Sequence, residues 1–173
     1  MSSDPLLRFV EAAIEGDDVA LAELVRQTQP AVWRLCTALG STGEVEDLVQ
    51  ETYERALKAL PAFRGDAPVQ MWLLGIGRRV CADHVRRRQR QRRLMARLSL
   101  YGAESSTAVD EPTDDLLHVL DADRREAFFL TQVLGLSYEE AASVIGCPIG
   151  TVRSRVSRAR SDLLAAVRRS QAQ

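Results

Sequence analysis

The residues best suited to chemistry are arginines and serines near the C-terminal end of the chain. Arg153, Ser154, Ser157 and Arg158 share one face of a predicted helix, because successive helical residues turn by roughly 100°. The opposite face is an apolar stripe of Val152, Val156, Ala159 and Leu163. Small hydroxyls let a helix approach the floor of a DNA groove, and flanking guanidinium groups can bond guanine or phosphate. This face therefore predicts binding in the major groove.

The same helix has a plainer interpretation. A charged surface helix that carries serines by chance would show the same pattern. Arg155 and Arg160 lie on other parts of the helix, where they suit phosphate contacts or salt bridges. Periodicity alone therefore favours DNA binding without excluding an ordinary surface helix.

Candidate metal or catalytic groups are few. Asp47 and Glu51 lie one helical turn apart, as metal ligands or an acid–base pair would, but no Glu-x-x-His motif or nearby histidine completes such a site. Cys36, Cys81 and Cys147 are odd in number and too widely spaced for a zinc finger. We therefore expect reduced, packed thiols, no metal, no cofactor and no enzymatic activity.

The net charge of −1 hides a strong segregation of charge along the chain. Residues 78–97 include nine arginines and one acid, and residues 153–169 include six arginines and one acid. Between these stretches, residues 104–123 hold seven acids and no base. Two separate surfaces can therefore bind phosphate.

The composition is that of an ordinary globular protein, with 46% hydrophobic and 27% charged residues. No apolar run approaches the roughly 20 residues needed to cross a bilayer. The N-terminus also lacks the basic and then apolar layout of a signal peptide. We therefore expect a cytoplasmic protein with no membrane insertion.

Apolar residues recur at helical spacing, and no run of alternating β-branched residues indicates a strand. One stripe surrounds Pro30, which either ends a helix or kinks a continuous one. The capping-box pattern at residues 41–44 starts the next helix, and Pro61 ends it. A third long helix begins near Pro68, and its apolar stripe fades past Val85. The predicted fold class is all-α.

Residues 99–114 are rich in serine, threonine, glycine and acids, and they show little periodicity. This composition is typical of a flexible linker. We therefore predict two small helical domains, at residues 1–98 and 115–173.

The C-terminal domain is predicted to contain a helix-turn-helix. Asp123 with Glu126 indicates one helix start, and the capping box Ser137–Glu140 indicates another, whose helix ends at Gly146. A short turn at residues 147–150 leads into the arginine- and serine-lined helix. Two helices joined by such a turn form the DNA-binding motif, whose second helix enters the major groove.

Longer motifs are also visible in both predicted domains. Leu136 to Ala142, followed by Cys147 to Arg155 and Ser157 to Arg160, resembles the fourth conserved region of bacterial sigma-70 factors. Asp47 to Thr52 resembles the second conserved region of the same family. The short linker and the lack of an intermediate domain are similar to the extracytoplasmic-function (ECF) group. The resemblance covers nearly the whole chain.

The resemblance implies a transcription initiation factor that binds core RNA polymerase and places it on promoters. In the family, the matching N-terminal helix docks on the clamp helices of the largest polymerase subunit, and the C-terminal domain meets the flap. An acidic face opposite a packed stripe suits a basic helical partner, although an ordinary solvated helix would look the same. The residues assigned to core binding are Asp47, Leu48, Gln50, Glu51 and Glu54.

The resemblance also implies promoter DNA, duplex and melted, as a partner. The loop 63–68 and the helix 72–88 match the minus-ten recognition and melting elements, and a basic track there suits single-stranded DNA. Trp72 lies in the apolar stripe, so we expect it in the core. The minus-ten residues are Arg64, Asp66, Arg78, Arg79, His84, Arg86 and Arg87. The minus-thirty-five residues are Thr151, Arg153, Ser154, Ser157 and Arg158.

The main alternative is a helix-turn-helix regulator that works without polymerase and uses its N-terminal helices for dimerisation or sensing. Binding to core polymerase separates the two readings. An anti-sigma partner, where one exists, would cover both the acidic face and the recognition helix, and blocking either one is enough to silence a sigma factor.

Overall fold

A computed structural model describes residues 4–40, 44–99 and 116–171. In these ranges the chain forms seven α-helices and no strand, which confirms the all-α prediction. No helix in the same ranges is both long and apolar enough to cross a membrane. The helices are α1 (Leu7–Ile14), α2 (Asp18–Leu39), α3 (Val45–Ala59), α4 (Val69–Ser99), α5 (Ala122–Phe128), α6 (Tyr138–Ile145) and α7 (Ile149–Gln171). The remaining helical turns are Leu60–Ala62, Leu116–Val119 and Phe129–Val133.

Helix α2 passes through Pro30 without a break, so the prediction of a continuous helix is the correct one. The carboxylate of Asp17 caps its N-terminus by accepting hydrogen bonds from two first-turn amides. Pro30 lies on the exposed side, where water can bond the carbonyl that has lost its amide partner. Leu24 and Val32, buried on either side of it, hold the helix against the core.

Helix α3 ends just before Pro61, as predicted. The capping box predicted to start α3 spans residues 41–44. Residues 41–43 lie outside the described residues, so only Glu44 can be compared with the prediction. The Glu44 side chain makes no capping hydrogen bond. It reaches across to His84 instead.

Helix α4 is a single rod of 31 residues from Val69 to Ser99. Its middle passes very close to α2 and α3. A β-carbon on Gly77 would lie 3.1 Å from a methyl carbon of Leu35 and 3.3 Å from a methyl carbon of Thr52. Gly77 is therefore explained by close packing, whereas a β-carbon on Gly75 would have open space within 4 Å.

The helix start predicted at Asp123 and Glu126 is wrong. Asp121 caps α5, because its carboxylate accepts a hydrogen bond from a first-turn amide at 2.9 Å. Asp123 forms an ion pair with Arg155 of α7. Glu126 turns into the protein and pairs with Arg78 of α4. The predicted linker lies outside the described residues except for Ser99, the last residue of α4.

Two apolar cores organise the described chain. The first is built by α1 to α4, around residues such as Val10, Leu48 and Val80. The second is built mainly by α5 to α7 and also includes residues of α2 and α4. The residues from α2 and α4 are Leu35, Ala38 and Leu74. The N-terminal and C-terminal helices therefore pack directly against one another in this arrangement.

All three cysteines are free thiols. Cys36 and Cys81 are buried in the first core, and Cys147 is half-buried. A hydrogen bond with Cys36, reinforced by burial, raises the pKa of the Cys81 thiol. The Cys81 thiol therefore stays protonated and acts as a packing group.

Candidate nucleic-acid interface

The predicted helix-turn-helix is present in α6 and α7. The Ser137 hydroxyl accepts from the amide of Glu140 at 3.1 Å, and the Glu140 carboxylate accepts from the amide of Ser137 at 2.8 Å. This reciprocal capping box fixes the start of α6. Gly146 adopts φ 76°, a left-handed conformation that ends α6 and turns the chain toward α7. The inner face of α7 is buried through Val152, Val156 and Ala159.

The outer face of α7 is open to solvent. Arg153, Ser154, Ser157 and Arg158 are all exposed, and Thr151 is half-buried near the start of the helix. The Ser154 hydroxyl donates to the carbonyl of Thr151 at 2.9 Å, which keeps it close to the helix. These hydroxyls leave a shallow strip between two arginines, a shape that suits a groove floor.

Neighbouring arginines on α7 are held by the protein instead. Arg155 forms its ion pair with Asp123, and Nη2 of Arg160 donates to Oε1 of Gln132 at 2.7 Å. In the described part of the chain, the Arg158 guanidinium has no ion pair or hydrogen bond. The Arg153 guanidinium lies 5.9 Å from the ring centre of Tyr138. Arg153 and Arg158 therefore differ from Arg155 and Arg160 in having no ion pair or hydrogen bond from their guanidinium groups within the described ranges.

The loop between the turn at Leu60–Ala62 and α4 is anchored by aromatic packing. The rings of Phe63 and Trp72 lie 4.9 Å apart at 49°. Both rings pack against the first core, which fits the expectation that Trp72 is a core residue. Arg64 and Asp66 are exposed at the tip, on either side of Gly65 at φ 73°. The loop therefore presents polar side chains on a fixed base.

Exposed arginines continue along α4. Arg79, Arg86 and Arg87 are all exposed. Arg86 lies 3.7 Å from Asp83, and Arg87 lies 4.0 Å from Glu51, both loose surface pairs. Pairs of this kind contribute little and can be exchanged for phosphate contacts.

Two residues assigned to minus-ten DNA are engaged inside the protein, which corrects their predicted availability. Nε of Arg78 donates to Oε1 of Glu126, and only 28% of the Arg78 side chain is exposed. Nε2 of His84 lies 2.5 Å from Oε2 of Glu44, and only 14% of the histidine side chain is exposed. Neither of these two atoms has a hydrogen bond of good geometry within the described ranges, and Oε2 of Glu44 also lies 3.9 Å from Nη1 of Arg88.

Glu126 is the buried partner of Arg78, and the sequence did not reveal this role. Burial raises its pKa, and the hydrogen bond from Arg78 opposes that rise. The only local signal is a charged residue next to the apolar pair Ala127 and Phe128. Such a signal indicates a buried carboxylate but does not identify its partner.

The acidic face of α3 is partly as predicted. Asp47, Gln50 and Glu54 are exposed, and Glu51 is half-buried, bonding Arg55 at 2.6 Å. The Gln50 amide donates to Glu54 at 3.0 Å, which helps to order this face. Leu48 does not belong to it, because that side chain is only 1% exposed and packs in the first core. The prediction that Leu48 contacts core RNA polymerase is corrected for that reason.

These features define a helical DNA-binding protein with a C-terminal helix-turn-helix. Two family models match the chain. Sigma-70 region 2 matches residues 24–91, and Sigma-70 region 4 matches residues 111–163. Together they span more than half of the chain.

Curated relatives match most of the chain. The ECF RNA polymerase sigma factor SigC of Mycobacterium tuberculosis (strain CDC 1551 / Oshkosh) is 43% identical, covering 89% of this chain and 86% of the relative. The ECF RNA polymerase sigma-E factor of Escherichia coli (strain K12) is 32% identical over 88% of each chain. The chain therefore belongs to the sigma-70 family, in its ECF group. It is an RNA polymerase sigma factor, which directs promoter-specific initiation of transcription.

Two solved structures share the architecture. CnrH, in complex with the cytosolic domain of CnrY, has a TM-score of 0.70 and 31% identity over 92% of this chain and 94% of that one. The sigma factor RpoE from Bartonella quintana, in complex with the anti-sigma factor NepR, has a TM-score of 0.68 and 29% identity. The RpoE match covers 86% of this chain and 96% of that one.

Proposed function

We propose that the serine face of α7 reads the minus-thirty-five element. The observation that carries this proposal is the contrast among the arginines of α7. Arg153 and Arg158 flank exposed hydroxyls and are free of ion pairs in the described ranges, whereas Arg155 is tied to Asp123. Arg160 is bonded to a glutamine, so it is positioned as a supporting charge. Thr151, Ser154 and Ser157 complete the reading face.

The minus-ten element is assigned to the loop 63–68 and to α4. Arg64 and Asp66 at the loop tip are the groups suited to hydrogen bonds with exposed base edges. Arg79, Arg86 and Arg87 extend this surface as a phosphate track for the opened strand. We call the arrangement in which α5 to α7 pack against α2 and α4 the closed arrangement. In it Arg78 is held by Glu126, so Arg78 can join the phosphate track only when the N-terminal and C-terminal helices separate.

Core polymerase is assigned to the acidic face of α3. Asp47, Gln50, Glu51 and Glu54 form an ordered negative surface, and the family analogy matches it to the clamp helices. The C-terminal domain, residues 115–173, is assigned to the flap by the same analogy. Residues 1–98 form the polymerase-binding and strand-opening domain, and residues 99–114 join the two.

Further properties follow from the family. The chain acts in the cytoplasm and has no catalytic activity of its own. Both compared structures are complexes with a protein partner, and the partner of the sigma factor RpoE is an anti-sigma factor. An anti-sigma partner for this chain would cover both α3 and α7. The alternative of a regulator that works without polymerase is not favoured, because the region 2 match includes α3.

A comparison of two arginines on α7 tests this assignment. Holoenzyme carrying Arg158→Ala should bind its minus-thirty-five duplex about 1–3 kcal/mol more weakly, with the loss confined to particular base pairs of a sequence library. Arg160→Ala is the matched control and should lower binding to all sequences alike. A uniform loss for Arg158→Ala, or an equal base-specific loss for Arg160→Ala, would contradict the assignment.

A further inference from the structure

The first carboxylate side chain of the sequence bonds to the start of a helix far along the chain. Oδ2 of Asp4 accepts a hydrogen bond from the amide of Val69 at 2.6 Å, across 65 residues of sequence. Oδ1 of the same side chain accepts from the amide of Leu6 at 3.0 Å. Asp4 therefore joins the N-terminal segment to the first residue of α4.

Helix α4 needs this acceptor from elsewhere in the chain. The amides of a first helical turn have no partner within the helix, and a local side chain usually supplies one. Pro68, which directly precedes α4, has no side chain that can accept a hydrogen bond. A carboxylate is well suited to the task because it also lies at the positive end of the helix dipole.

The same segment lies beside the loop 63–68. A β-carbon placed on Gly65 would be 3.9 Å from Cδ1 of Leu7, so α1 flanks the tip of the loop. Leu6 and Val69 are both buried in the first core, on either side of the Asp4 bonds. The hydrogen bonds thus connect two buried points, and the loop lies next to the connection.

We infer that Asp4 is a positioning residue for promoter opening: its carboxylate fixes the start of α4 and, with it, the loop that holds the minus-ten bases. Asp4 itself does not contact DNA. When its bonds are lost, the loop and the first turn of α4 fluctuate, and the opened strand meets a less ordered surface. This inference depends on the proposed minus-ten role of the loop.

The test measures how fast holoenzyme opens a promoter. The promoter is one whose start site has been mapped with the wild-type holoenzyme, and its minus-ten element contains 2-aminopurine as a reporter of opening. Asp4→Ala should slow opening about five-fold, the factor that corresponds to a capping loss of about 1 kcal/mol. Asp4→Asn should be intermediate, because the amide has one accepting oxygen and the carboxylate has two. Binding to core polymerase and to minus-thirty-five duplex should not change.

Asp17→Ala provides the matched control. Asp17 caps α2 through the same kind of bonds, and α2 is not part of the loop. This variant should lose similar thermal stability and open the promoter at the wild-type rate. Wild-type opening by Asp4→Ala, no recovery in Asp4→Asn, or equal slowing by Asp17→Ala would overturn the inference. If the wild-type chain bound core polymerase but the resulting holoenzyme opened no minus-ten element, the proposed minus-ten function would fail instead.

Discussion

Arg78 of α4 and Glu126 of α5 form an ion pair that joins the N-terminal helices to the C-terminal helices. Only 9% of the Glu126 side chain is exposed, and the pair lies beside the second core, to which both halves of the chain contribute. Arg78 also belongs to the proposed minus-ten track. Under that proposal, Glu126 and DNA compete for the same guanidinium group.

Removal of Arg78 should loosen the contact between the two halves. Arg78→Ala leaves a buried carboxylate without its partner. The closed arrangement should therefore lose about 1–3 kcal/mol of free energy relative to an open one. Energy transfer between dyes at the exposed positions 19 and 164 would report the separation. The double variant Arg78→Ala with Glu126→Gln should regain most of the closed population, because a neutral amide is easier to bury. An unchanged dye distance in Arg78→Ala would show that the pair does not hold the halves together.

Closure should also depend on pH. Burial raises the pKa of Glu126 above its ordinary value of 4.5, while Arg78 and Arg155 lower it and Asp123 raises it. The closed arrangement therefore binds a proton more readily than an open one. The contribution of Glu126 to closure is complete below pH 4.5 and is lost as the pH rises through the raised pKa. The same dye pair should show opening over this interval in the wild type and none in Glu126→Gln.

Charge reversal on α3 should impair core binding. Asp47→Arg places a positive charge on the exposed acidic face, and we expect binding to core polymerase to weaken about tenfold or more. Glu11→Arg, on the exposed side of α1, is the control for a general change of charge. Competition with labelled wild-type chain measures both affinities. Equal affinities for the two variants would exclude α3 as the polymerase-binding face.

The two glycines of α4 should respond oppositely to alanine. At Gly77 the added carbon meets Leu35 and Thr52, both fully buried, so neither can move away freely. Such overpacking costs typically about 1–3 kcal/mol, more than the roughly 1 kcal/mol gained in helix propensity. Gly75→Ala meets no atom and should raise the unfolding midpoint in urea. A stabilised Gly77→Ala variant would contradict the close packing of α2, α3 and α4.

Local patterns predicted the elements, and their limits are visible in particular residues. The capping box at Ser137 and Glu140 and the buried stripe of α7 depend on neighbours within a few residues, so the sequence contains all that is needed. Pro30 was ambiguous, because its effect depends on whether the helix packs on both sides of it. The family resemblance assigned Leu48 to polymerase binding, but a match of residue types does not show that the first core covers this side chain.

The pairs that position the site could not be predicted in this way. Arg78 and Glu126 are 48 residues apart, and Asp4 and Val69 are 65 apart. Each pair depends on how several helices pack, and nothing near either residue identifies its partner. The Asp4 pair also supplies a cap that local capping rules would seek at Pro68.

The most direct test of the sigma-factor function adds the purified chain to core RNA polymerase and maps transcript starts across a promoter library. Defined starts should appear only when the chain is present, each preceded by shared minus-ten and minus-thirty-five elements. Arg158→Ala should relax the upstream element and leave the downstream one unchanged. Absence of defined starts, together with absence of binding to core, would contradict the assignment of this chain as a promoter-directing sigma factor.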